Sequence, residues 1–88
     1  MEIRISEQVS GFLRQLPPVP KKRVKTALKQ LNHLEGDLKD LEHPLDGYCR
    51  LLVHSFRVII KIQADHMDCL FIERRSIVYE IFEQTLLG

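Results

Sequence analysis

From Leu45 to Tyr79 the chain runs through apolar stretches divided by short polar breaks at His54-Ser55 and around Ala64-Asp65-His66. Val, Ile and Phe dominate these stretches and the only glycine is Gly47, so they predict strands rather than helices. With His54-Ser55 as a two-residue hairpin loop, Val53 stands opposite Phe56. Cys49, Leu51, Val53, Phe56, Val58, Ile60 and Ile62 then share one face. The other face carries Arg50, Leu52, Arg57, Ile59 and Lys61. A second turn at Ala64-Asp65 adds Met67, Cys69 and Phe71 to the first face and Asp68, Leu70 and Ile72 to the second, and sets Lys61 against Asp68. One face is therefore a core, and the other is apolar with cations set into it.

Upstream the period changes. Met1, Ile3 and Ile5 alternate with Glu2 and Arg4, which predicts a short strand. Ser6 can cap a helix whose stripe is Val9, Phe12, Leu13 and Leu16, ended by Pro17-Pro18. Pro20 can open a second helix at its first position, with Val24, Ala27, Leu28, Leu31 and Leu34 as its buried stripe and Gly36 as its stop. Residues 37 to 47 are mostly polar and predict a connecting loop with room for a helical extension. Ser76 can cap a last short helix whose Val78, Ile81, Phe82 and Thr85 face the sheet. The expected architecture is α+β: an N-terminal strand, a helical hairpin, a three-stranded antiparallel meander and a short C-terminal helix.

The 88 residues, 44% of them hydrophobic, suit a single domain spanning 1–88. No apolar run approaches the roughly 20 residues of a membrane span, and the N-terminus lacks the layout of a secretion signal, so no membrane partner and a cytoplasmic location are expected. Cys49 and Cys69 form no CxxC pattern, and each falls opposite Ile60 from a different side. Two strand spacings of about 4.8 Å would separate them, beyond disulfide reach, so both are expected as buried free thiols. The formal charge is only +1, yet residues 21 to 29 hold Lys21, Lys22, Arg23, Lys25 and Lys29 with no acid among them. Lys21, Lys25 and Lys29, four apart, form a row that suits RNA phosphates or an acidic partner. The same row is also what an ordinary solvated helix face carries.

His33, His43, His54 and His66 show no HExxH or short metal spacing, and neither a Gly-rich phosphate loop nor a GxSxG elbow occurs. No metal and no cofactor is indicated. Arg50, Arg57, Arg75 and Tyr79 remain. A guanidinium stays charged and grips phosphate bidentately, and a phenol among cations can exchange protons. Such a set suits RNA cleavage in which the substrate's own 2′-hydroxyl attacks the adjacent phosphate. The bland alternative makes Arg50 and Arg57 snorkelling sheet residues, Arg75 a strand cap and Tyr79 packing.

The order Gly47-Tyr48-Cys49-Arg50-Leu51-Leu52-Val53, then Phe56-Arg57-Val58, then Arg74-Arg75-Ser76-Ile77-Val78-Tyr79 resembles the second half of the RelE/ParE toxin superfamily. The likeness covers the chain end to end and implies the same β-α-α-β-β-β-α layout. It further implies a toxin of a toxin-antitoxin pair that cleaves mRNA on the ribosome and is held inactive by a cognate antitoxin protein. On that resemblance Arg50 matches a residue contacting the RNA, Arg57 a cation on the scissile phosphate, Arg75 a transition-state stabiliser or acid, and Tyr79 a stacking residue or base. Lys21, Lys25, Lys29 and Arg74 are further RNA-binding candidates. The chain departs from the pattern at Leu52, where a basic residue is frequent, at Glu73-Arg74, at His54, and in its near-neutral charge. Two alternatives stay open: a ParE-like gyrase inhibitor acting through the helical hairpin, and a degenerate member that retains only antitoxin binding.

Overall fold

The computed structural model describes residues 2–31 and 37–74. Strand β1 (Glu2–Ile5) leads into helices α1 (Glu7–Gln15) and α2 (Pro18–Gln30), followed by β2 (Asp37–Asp40), β3 (Cys49–Val53), β4 (Phe56–Ile62) and β5 (His66–Arg74). They form one five-stranded sheet in the order β1-β5-β4-β3-β2, with β1 parallel to β5 and every other pair antiparallel. Among the described residues no helix is long and apolar enough to cross a membrane.

The helices start and stop where their chemistry requires. Ser6 caps α1, its Oγ accepting from the Val9 N–H at 3.2 Å. α2 begins at Pro18, two residues before the Pro20 start expected from the sequence. Prolines are tolerated through its first turn, where backbone N–H groups have no partner within the helix. Val9, Leu13, Val24, Leu28 and Leu31 of the helical layer pack on Leu51, Val53, Val58, Ile60, Met67 and Cys69. Phe12 and Phe56 meet edge to face at the margin of this core, ring centroids 5.6 Å apart. Leu34, Gly36 and the Ser76–Thr85 helix expected from the sequence lie outside the described residues.

The β3–β4 register follows the alternation: Val53 pairs with Phe56, Leu52 with Arg57, Arg50 with Ile59 and Cys49 with Ile60. His54 takes a positive φ of 54° at the first loop position, the place that type II′ hairpin turns give to glycine. The next hairpin begins as expected, with Lys61 opposite Asp68 and Ile60 opposite Cys69. It then shifts between Ile59 and Ile60, so that Ile59 pairs with Phe71 and Leu70 is the extra residue of a bulge. The faces expected for Phe71 and Ile72 are thereby exchanged: Ile72 is fully buried in the main core, and Phe71 packs beside Ile59 on the other face.

Residues 37 to 40 are a strand, not the loop or helical extension expected, and the meander gains a fourth antiparallel member. Only Leu38 of β2 is half-buried, which is how a short polar edge strand looks. Residues 41 to 48 fold back over the second face, closed by Leu41 N–H to the Tyr48 carbonyl at 2.9 Å, and Gly47 supplies a φ of 94°. Leu45 is buried there against Ile59, with Leu41, Tyr48, Leu70 and Phe71 around them. The second face is thus a small core of its own, with cations at its margin.

Beyond the end of β1, α1 takes over as partner of β5. The Ser6 N–H donates to the Cys69 carbonyl at 3.0 Å and its hydroxyl to the Leu70 carbonyl at 2.8 Å. The Gln8 amide donates to the Ile72 carbonyl at 2.7 Å and accepts from the Ile72 N–H at 2.8 Å, as a strand neighbour would. Removing that side chain leaves both backbone groups without it. Gln8→Ala is expected to cost about 1–3 kcal/mol in urea unfolding and to speed amide exchange at Ile72. Glu7→Ala, on the exposed side of the same turn, should change stability by less than about 0.5 kcal/mol.

Candidate functional site

Arg50 and Arg57 stand on neighbouring antiparallel strands. Because Leu52 pairs with Arg57 and Arg50 with Ile59, both project from the same sheet face, as the two-residue loop requires. They line one concavity of about 380 Å³ together with Lys39, Asp40, Leu41 and Glu42. The sheet face opposite the helices is therefore the place where Arg50 and Arg57 meet.

Their surroundings are not those of a purely cationic cleft. Arg50 is clamped to β2, its Nη1 donating to the Asp37 carbonyl at 2.9 Å and to Asp37 Oδ1 at 3.1 Å, and its side chain is 14% exposed. Lys39 stands directly across from Arg50. Half-buried Arg57 has Leu52 as its neighbour on one strand and Glu73 on the other. Asp40 and Glu42 line the concavity with Lys39, Arg50 and Arg57, but the Asp40 carboxylate accepts from Cys49 on the other face; the acids nearest the two arginines are Asp37, bonded to Arg50, and Glu73, paired with Arg57. An incoming phosphate would meet cations already close to acids, which lowers the attraction each can offer.

The other predicted RNA contacts lie elsewhere. Arg74 pairs with Phe56, one position along from the Arg57–Glu73 pair, so it belongs to the opposite face. There it lines a separate cavity of about 280 Å³ beside Arg23, His54 and Phe56. Lys21 and Lys25 border a groove with Ile5, Leu13 and Arg14, and Lys29 is exposed further along α2. α2 packs on the face away from Arg50 and Arg57, so this row does not join their concavity. Arg75 and Tyr79 lie outside the described residues.

Two polar clusters were not foreseen as clusters. Lys61 occupies the expected register opposite Asp68, yet its ammonium lies 5.7 Å from the Tyr48 ring centroid. Asp68 is instead 3.2 Å from His66 Nε2, with Asp65 Oδ1 2.6 Å from Nδ1 of the same ring. The hydrogen bond and charge of His66 hold the Asp65 carboxyl below its ordinary pKa. Contacts between residues one and two apart are visible in principle in the sequence, but they required the turn position and the parity of β5. Among the described residues no group of three or more His, Cys, Asp or Glu is placed to hold a metal ion.

No family model and no curated protein matches the sequence. Solved structures do. A chain of the RelB-RelE antitoxin-toxin complex from Methanococcus jannaschii superposes with a TM-score of 0.70, covering 90% of this chain and 98% of that one at 19% identity. YoeB from Staphylococcus aureus gives 0.69 over 85% and 97% at 20% identity. YafQ from E. coli gives 0.64 over 99% and 98% at 14% identity. The fold is that of the RelE-like toxins. The resemblance carried by the Tyr48–Val53 and Phe56–Val58 motifs is thus borne out as a likeness of fold.

In this RelE-like sheet both cysteines are free and buried, on either side of Ile60, as the register implied. Burial is the main cause that pushes each thiol from an ordinary 9.0 up to about 11, aided at Cys49 by the Asp40 carboxylate that accepts its S–H at 3.2 Å. A thiol that ionises less readily when folded favours the folded state fully below pH 9 and loses that contribution as pH rises through 11. The expected outcome is an unfolding free energy that declines between pH 9 and 11 by more in the native sequence than in Cys49→Ala/Cys69→Ala. Thiol-disulfide reagents should also react slowly with the folded protein at about pH 8.

Proposed function

We propose that the chain is the toxin of a toxin-antitoxin pair and that it cleaves mRNA on the ribosome, with the substrate's 2′-hydroxyl as nucleophile. The observation that supports this reading most directly is the convergence of Arg50 and Arg57 on one concave sheet face. In the reaction the 2′-hydroxyl gives up its proton, its oxygen bonds to phosphorus, and the 5′-oxygen leaves with a proton. Arg57 stabilises the charge gathering on the phosphate and Arg50 holds the strand, while Arg75 serves as stabiliser or acid and Tyr79 as base or stacking partner. Lys21, Lys25, Lys29 and Arg74, on the other side of the sheet, would touch RNA away from the cleaved bond. A cognate antitoxin is the expected protein partner, and the M. jannaschii neighbour is itself a toxin in complex with its antitoxin RelB.

One observation favours a second reading. Asp37 on Arg50 and Glu73 opposite Arg57 suit a member that keeps the fold and its antitoxin but has lost strong phosphate contact. Primer extension on translated mRNA separates the two. Loss of a pre-organised charge contact in the transition state costs about 3 kcal/mol, on the order of a hundredfold in rate. Arg57→Ala, Arg75→Ala and Tyr79→Phe are each expected to reduce ribosome-dependent cleavage by that factor, with circular dichroism unchanged. Undiminished cleavage by folded Arg75→Ala would remove that residue from the reaction. Absence of cleavage by the native sequence, with antitoxin binding retained, would establish the second reading, and inhibition of supercoiling would point to gyrase.

A further inference from the structure

On the face of Arg50 and Arg57 the register sets side chains in rows across the sheet. Asp37, Leu52, Arg57 and Glu73 form one row, with an acid at each end. The next row starts with Lys39 directly opposite Arg50 and continues with apolar residues, so it holds two adjacent cations and no acid. Like charges opposite each other on neighbouring strands repel and cost stability. Arg50 is relieved of this by Asp37 in the other row, which accepts from its Nη1 through the carbonyl at 2.9 Å and the carboxylate at 3.1 Å. Lys39 has no such relief: among the described residues no carboxylate forms an ion pair with it, and it stands exposed where it lines the concavity.

A lysine on an edge strand has an ordinary explanation, since charge there keeps the edge from pairing with other chains. That role asks for a charge somewhere along β2, and not for one set against Arg50. Two strand spacings, about 10 Å, separate β2 from β4, so the Lys39 ammonium and the Arg57 guanidinium suit neighbouring phosphates of one strand rather than a single phosphate. An ammonium on a flexible stem holds phosphate as a point charge and reads no base. We propose that Lys39 holds the RNA strand at a phosphate beside the scissile one. The proposal deepens the ribonuclease reading and rests on it for the substrate. Lys39 then stands against Arg50 at a cost in stability, and removing it should loosen the grip on RNA without weakening the fold.

The test measures binding of the full chain to ribosomes carrying an mRNA whose unoccupied codon has hydrogen in place of its 2′-hydroxyls, so that binding is read without cleavage. Lys39→Thr is expected to weaken binding by about five- to tenfold. It should also lower the slope of log affinity against log salt by about 0.7, as the loss of one phosphate contact on a single strand does. Lys39→Arg should bind within about twofold of the native sequence. Lys22→Ala removes the same charge from α2, on the far side of the sheet, and should also stay within about twofold. The melting temperature of Lys39→Thr should hold level or rise by up to about 5 °C. On all-ribose mRNA that variant should raise the protein concentration giving half-maximal cleavage and leave the saturated rate within about twofold, unlike Arg57→Ala. Native-like binding and salt slope in Lys39→Thr, equal weakening by Lys22→Ala, a lowered melting temperature alongside weaker binding, or no binding by the native chain would each overturn the proposal. Binding without cleavage of the all-ribose mRNA would defeat the ribonuclease reading alone, with Lys39 still judged by affinity and salt slope.

Discussion

The seam between the start of α1 and the far half of β5 sets the rest of the sheet. β1 ends at Ile5, opposite Cys69, while β5 continues to Arg74. Left alone, the backbone of Leu70 and Ile72 would face the helical layer without a strand beside it, and buried backbone groups are costly to leave unpaired. The Ser6 hydroxyl and the Gln8 amide fill that place, bonding to Leu70 and Ile72. Ser6 meets this demand while capping α1, so the helix start and the sheet edge are fixed by one residue. The same contact accommodates the extra residue of the bulge, whose carbonyl Ser6 takes up.

The bulge in turn decides what surrounds the candidate site. In an uninterrupted ladder Ile72 would stand opposite Arg57. With Leu70 inserted, Ile72 enters the main core, Phe71 joins Ile59 and Leu45 on the second face, and Glu73 becomes the neighbour of Arg57. A single inserted residue therefore completes two hydrophobic clusters and places a carboxylate next to a residue proposed to handle phosphate. It also sends Arg74 to the helix-side face, while the Arg74 backbone N–H donates to Glu73 Oε1 at 3.2 Å. Packing and site electrostatics are the same event here.

What the sequence made legible follows from how local each signal is. The β3–β4 pairing needs only period-two alternation and a two-residue break, so the shared face of Arg50 and Arg57 was available without coordinates. The helical stripes and the Ser6 cap are equally local. β2 was not, because DLKD has one half-buried residue and its strand character comes from β3 and from the Asp37 clamp on Arg50. The bulge at Leu70 answers to residues 64 positions away, and nothing near Leu70 announces it. That Lys21, Lys25, Lys29 and Arg74 stand on the other side of the sheet from Arg50 and Arg57 was not legible for a different reason: positive charge says nothing about which side of a sheet a residue occupies.

The near-neutral net charge has its own consequence for the proposed reaction. At +1 the chain exerts little long-range pull on a polyanion, and at physiological salt charges separated by more than about 8 Å are largely screened. The concavity, with acids among its cations, adds no strong local attraction for free RNA. Such a surface is poorly suited to finding RNA in solution, and well suited to a substrate already held in place by another assembly. When the scissile phosphate and its 2′-hydroxyl are presented in fixed geometry, orientation supplies much of the rate, and the protein has only to meet the charge that develops as the bond breaks. On the proposed reading, the affinity that the balanced charges around Arg50 and Arg57 do not supply is the part a ribosome-bound strand does not require.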